Sequence, residues 1–178
     1  MVKKFLVILI QCGFYFTGKS QVTIMNTGFD DLVLGKTESQ LEEIIGFKGK
    51  TLNPEEYLNT EANGRKKENL PEFKKQFDQC IIYKHIMPIP VSKVFVKSGK
   101  VIMIEISSFP DFTKPICLDA KTKEGLKFWD SKQAVEKLYG KESRSDTSAD
   151  GTMTFIYYDS KGIGFGLTNN EVRIIYYY

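Results

Sequence analysis

Few side chains in this 178-residue chain could do chemistry by type and spacing. His85 is the sole histidine, so a histidine metal site or a Ser-His-Asp triad lacks parts. In an alternating stretch it reads as an ordinary cross-strand residue. Gly162-Ile163-Gly164-Phe165-Gly166 has the glycines of a phosphate loop, but it alternates like a strand and does not open a helix, whose amides such a loop needs. Asp30-Asp31 and Glu42-Glu43 are adjacent acids that do not face each other across a substrate. Asp146, Asp150 and Gly151 lack the spacing and closing Glu of a calcium loop. The expectation is a protein that is not an enzyme and takes neither metal nor cofactor.

Two constellations remain. Cys80 and Cys117 could bridge in an oxidising compartment, and closing a loop of that length contributes about 3–4 kcal/mol in the chain-entropy model. The alternative is two separate buried thiols. The second constellation lies near the C-terminus. If residues 162–167 are a strand, Ile163, Phe165 and Leu167 point one way and Gly162, Gly164 and Gly166 the other. Gly164 and Gly166, flanked by Tyr158 (or Tyr157), Arg173 and Tyr177, then form a candidate binding face, since Tyr and Arg are favoured in binding hot spots. The rival reading is that neighbouring tyrosines, or a helix, lie over the glycines.

The elements that would position these residues follow from pattern. Asp130 or Ser131 can cap a helix over 131–139, with Val135, Leu138 and Tyr139 as its apolar stripe and Gly140 as its stop. Strands are predicted at 152–158, 162–167 and 171–178, joined by turns at Asp159–Gly162 and Thr168-Asn169-Asn170. Residues 35–46 align without a gap to 129–140, and 91–106 to 162–177. Leu41, Ile44 and Ile45 fall on Val135, Leu138 and Tyr139, and Ser98-Gly99 falls on Asn169-Asn170. Either the chain carries a duplicated unit or any helix followed by a hairpin gives this match. The fold expected is α+β: two tandem helix-plus-antiparallel-meander repeats (αβββ), helices packed on one face of the sheet, with a helical insertion in the first repeat.

Gly35-Lys36-Thr37, Gly46, Ser131 and Gly140 carry a resemblance, in pattern, to the β-lactamase-inhibitor-protein-like fold. That group includes a tandem-repeat inhibitor and a small lipoprotein of the outer-membrane barrel-assembly machinery. The resemblance implies an exported, non-catalytic binding module. The chain departs from the pattern in its long insertion and in Trp129, which stands where the second copy should open with Gly.

Residues 1–20 read as an export signal: Lys3 and Lys4, an apolar run from Phe5, and small Gly18 and Ser20 before a cut at Gln21. The run is short for a transmembrane helix. Lipid attachment at Cys12 is an alternative, and the only route by which a membrane would become a partner. The whole chain is +3, from 25 basic and 22 acidic residues. Removing Lys3, Lys4 and Lys19 leaves no excess of positive charge, which argues against nucleic-acid partners. The expected organisation is signal 1–20, first repeat 21–110 with insertion 48–79, and second repeat 111–178. Residues 21–31 are expected as an exposed lead-in, 48–69 as polar and turn-rich with a helical turn at 54–58, and Asn69 as the cap of a further helix bearing Leu70, Phe73 and Phe77. The function expected is a periplasmic or secreted protein that binds another protein, as an inhibitor or immunity-type antagonist. The alternative is a structural or assembly component of the cell envelope.

Overall fold

A computed structural model describes residues 23–25, 28–29, 32–45, 48–61, 76–84, 91–108, 121–148 and 150–178. The expected export segment 1–20 with Cys12, the helix after Asn69, His85 and Cys117 lie outside them. The strands, in chain order, are β1 (Thr23–Met25), β2 (Gly28–Phe29), β3 (Leu32–Val33), β4 (Lys50–Leu52), β5 (Gln79–Lys84), β6 (Val91–Lys97), β7 (Lys100–Ser107), β8 (Lys121–Thr122), β9 (Arg144–Thr147), β10 (Met153–Tyr158), β11 (Ile163–Thr168) and β12 (Glu171–Tyr177). The helices are α1 (Glu38–Ile45), α2 (Pro54–Glu61) and α3 (Lys132–Tyr139).

Eight strands form one antiparallel sheet in the order β4-β5-β6-β7-β12-β11-β10-β9. β1, β2, β3 and β8 form a smaller sheet, order β3-β2-β1-β8, with β1 parallel to β8. The α+β expectation of tandem helix-meander repeats is therefore overturned: the described residues are predominantly β, with three short α-helices among them. The physical reason is the seam. β7 pairs with β12 from Ile174↔Ser107 to Tyr177↔Ile104, so one sheet runs without a break through both halves of the chain. Nor do the helices share one face. Leu41 of α1 and Val135 and Tyr139 of α3 pack on one face with Ile104, Phe165, Ile175 and Tyr177. Tyr57 of α2 packs on the other with Phe77, Phe95, Met103 and Tyr176. With both faces covered, the middle strands lose alternation and read as apolar runs.

Local signals fold as their chemistry dictates. Ser131 Oγ accepts from Ala134 N at 3.3 Å, and Gly140, at φ 84°, donates to Glu136 O. Thr37 and Gln40 form a reciprocal cap at the start of α1. Asn53 and Glu56 do the same for α2. Ser98-Gly99 and Asn169-Asn170 all take positive φ in two-residue hairpins. Leu138, expected on the apolar stripe of α3, is instead exposed at 39%. No helix among the described residues is long and apolar enough to cross a membrane.

Candidate functional site

The five residues expected to share a binding face divide between the two faces of the sheet. Tyr158 and Tyr177 are buried under α1 and α3. Tyr158 donates to Gly140 O at 3.2 Å and packs on Tyr139 and Phe165. Gly164 and Gly166 open toward the second face but are not bare. A Cβ at Gly164 would lie 2.8 Å from Tyr157 Cδ1, and one at Gly166 would lie 3.0 Å from Ile174 Cβ and 3.2 Å from Phe155 Cε1. Aromatic rings thus roof the glycines, the rival reading of the sequence. The register explains the roof. Lys93, Glu105, Tyr176, Gly164, Tyr157 and Arg144 sit directly opposite one another on successive strands. The missing side chain lets the Tyr157 and Tyr176 rings approach to 6.3 Å, and the Arg144 guanidinium lies 3.9 Å from the Tyr157 ring centre. On the β6–β7 side of the seam, Lys93 Nζ meets the buried Glu105 carboxylate at 2.9 Å. Cys80 is buried on this same second face.

Arg173 occupies a different place from the one simple alternation assigns. Gly166 pairs with Ile174 but Leu167 pairs with Val172, so Arg173 is the extra residue of a β-bulge. The bulge moves Val172 onto the face covered by α1 and α3 with Ile175 and Tyr177, and puts Ile174 with Tyr176 on the other. Ser108 holds the bulge, its N–H and Oγ–H donating to Arg173 O at 2.8 and 3.1 Å. The guanidinium donates from Nη2 to Glu171 Oε2 at 2.8 Å. Its Nε–H is buried and has no hydrogen-bond partner among the described residues.

A second departure meets this one. Trp129 sits at φ 66°, left-handed backbone that costs a bulky residue about 1–3 kcal/mol and persists only where its surroundings enforce it. They do: Trp129 N donates to Val172 O at 2.8 Å and Val172 N to Asp130 O at 2.9 Å, while Asp130 Oδ2 accepts from Lys127 N at 2.7 Å. The indole ring then lies 5.5 Å from the Arg173 guanidinium carbon. Beside this pair is a cavity of about 320 Å³ lined by Ser107, Ser108, Met153, Thr168, Arg173 and Ile174. Ser107 Oγ donates to Glu105 Oε1 at 3.3 Å, so the cavity adjoins the buried ion pair. Its walls are mainly apolar with one cationic side chain, the make-up of a small-ligand pocket.

Of the expected residues only Arg173 joins this site. Residue type and spacing alone do not group Trp129, Met153, Thr168, Ile174 or the two serines with it. The one available signal was Trp129 standing in the alignment opposite Gly35, which is itself at φ 87°. Among the described residues no three His, Cys, Asp or Glu side chains are grouped to hold a metal ion.

No family model matches the chain, and no curated protein matches it in sequence. A solved structure similar to it is the crystal structure of an extracellular protein containing an SCP domain from Bacillus anthracis str. Ames, at 11% identity and a TM-score of 0.41. The match covers 81% of this chain and 43% of that one, so this chain spans less than half of that protein's length. At that score the likeness carries no argument about function.

Proposed function

We propose that this chain is an exported, non-catalytic protein-binding module that holds its partner at the Arg173 cavity. The observation that carries the reading is the meeting of two costly backbone features, the left-handed Trp129 and the bulge at Arg173, which together fix one arginine against one indole. Strain of this kind concentrates where geometry serves a ligand. Arg and Trp are among the residues that dominate binding energies when held in apolar surroundings. Export is supported by the Lys3-Lys4 start, the apolar run and the small residues before Gln21. An inhibitor or immunity-type antagonist of a secreted or envelope protein is the finer form of this reading.

The test is capture from envelope and secreted fractions of the source organism on the immobilised protein, beside a Thr168→Tyr variant that fills the cavity from a partly exposed strand position. Once circular dichroism shows that the variant folds, a partner held by the native chain and lost by the variant supports the reading. A partner held equally by both removes the cavity from it.

A further inference from the structure

Resting on that reading, we propose that the group received by the cavity is a carboxylate on a short apolar stem, carried by a partner polypeptide. The Arg173 fork is half used. Carboxylates bind guanidinium most favourably through two parallel N–H···O bonds. Here Glu171 takes only one, at Nη2, while the adjacent Nε–H is buried without a partner among the described residues. A buried N–H left unpaired is destabilising, and an incoming oxygen would relieve it.

Glu171 does not bar the way. Its side chain is 41% exposed, so its pairing with Arg173 is of the weak, solvent-screened kind, and it can turn outward while a ligand takes both N–H groups. Of the other acids, Glu105 is engaged by Lys93 at 2.9 Å and by the Ser107 hydroxyl, and Asp130 accepts from Lys127 N at 2.7 Å. The Trp129 ring centre lies 5.5 Å from the guanidinium carbon, within cation–π range. Met153 and Ile174 line the cavity with apolar surface for a stem. At about 320 Å³ the space is at the small end of ligand cavities, suited to one residue of a partner rather than a long segment.

The experiment is a titration of the full folded chain, followed by the Arg173 Nε–H and Met153 methyl resonances. N-acetyl-leucine presents the carboxylate as a chain end and N-acetylglutamate α-amide presents it as a side chain. N-acetyl-leucinamide keeps the apolar stem without the charge. The expected result is saturable shifts of both resonances with either acid, at Kd on the order of millimolar for so small a probe, and none with the amide. Arg173→Lys keeps the charge but loses the fork, and is expected to weaken binding about tenfold with the fold intact. Whichever acid binds more tightly identifies the form the partner uses. Equal binding of the amide, equal binding by Arg173→Lys, or no shift with either acid would overturn the proposal. If the titration fails while Thr168→Tyr still abolishes capture, the carboxylate is wrong and the binding module stands. If the titration succeeds and capture is unaffected by Thr168→Tyr, the proposed function is what fails.

Discussion

Gly164→Ala adds a single methyl group under the Tyr157 ring. The backbone at Gly164 is ordinary strand, so the residue is not there for its φ. The new carbon would lie 2.8 Å from Tyr157 Cδ1, 3.2 Å from Ile156 O and 3.3 Å from Tyr157 Cε1, closer than carbon atoms pack. The ring cannot yield freely, because the Arg144 guanidinium is stacked 3.9 Å from its centre and Tyr176 is beside it. Overpacking of this kind costs about 1–3 kcal/mol. Losing glycine's freedom in the unfolded chain returns about 0.4–1 kcal/mol. The net expectation is a loss of about 0.5–2 kcal/mol, read by urea denaturation or as a fall in Tm of a few degrees. In a Tyr157→Leu background the roof is gone, and Gly164→Ala should become neutral or stabilising, a coupling of about 1–2 kcal/mol in the double-mutant cycle. If Gly164→Ala is as stable as wild type, or costs the same with and without the Tyr157 ring, the roofed-glycine account of the second face is refuted.

Other expectations follow from the same packing. Lys93→Met leaves the Glu105 carboxylate, 1% exposed, without its 2.9 Å partner and should cost about 3–5 kcal/mol, most of it recovered in Lys93→Met with Glu105→Leu; equal losses in the single and double variants would count against the pair. Tyr139→Phe removes the hydroxyl that bonds Thr122 Oγ1 and Glu124 Oε2 at 2.7 and 2.6 Å, joining α3 to β8, and should lower stability by about 1–2 kcal/mol on a denaturation curve. Burial raises the Tyr83 hydroxyl to about 12, with Glu38 and Glu42 adding to it, and burial likewise raises Tyr158 to about 12, with Glu142 and Glu136 adding. Burial also raises Tyr177. A raised folded pKa gives stability that is complete below the ordinary value near 10 and lost as pH climbs through the folded value. Alkaline unfolding should therefore set in between pH 10 and 12, with tyrosinate absorbance rising together with loss of circular dichroism; free titration of these rings at pH 10 in a folded protein would contradict their burial. Arg144 holds the Asp159 carboxyl below its usual range, but both are more than two-fifths exposed, so Asp159→Asn should cost well under about 1 kcal/mol and Arg144→Ala more, because it also strips the Tyr157 ring.

Elements decided by neighbouring residues were legible in the sequence. Ser131 and Gly140 bound α3, Thr37 with Gln40 caps α1, and Ser98-Gly99 and Asn169-Asn170 turn their hairpins because each signal acts within four residues. What was not legible depends on partners far along the chain. β9 falls outside the predicted strands because an edge strand needs few apolar side chains, and Arg144–Thr147 is largely exposed. β1 and β2 fall within the expected lead-in, and β1 gains its second partner only from β8, almost a hundred residues away. β4 was lost in the insertion for the same reason: three residues become a strand only beside β5. The β7–β12 seam makes one sheet of two meanders, and no local pattern announces it. At the candidate site, strict alternation along β12 failed at one residue, since a bulge at Arg173 reverses which side chains share a face. Arg173 was recognisable by type, while its companions were brought to it by the turn at Trp129 and the ends of β7, β10 and β11.

The most direct test of the binding role is site-specific photo-cross-linking in the native host, with a photoreactive side chain replacing Thr168 at the cavity and, in a parallel strain, Thr51 on the far edge strand β4. The account predicts one discrete protein adduct from position 168, diminished when Arg173→Lys is added, and none of the same mass from position 51. An adduct from position 51 with nothing from 168, or a 168 adduct indifferent to Arg173, would contradict it.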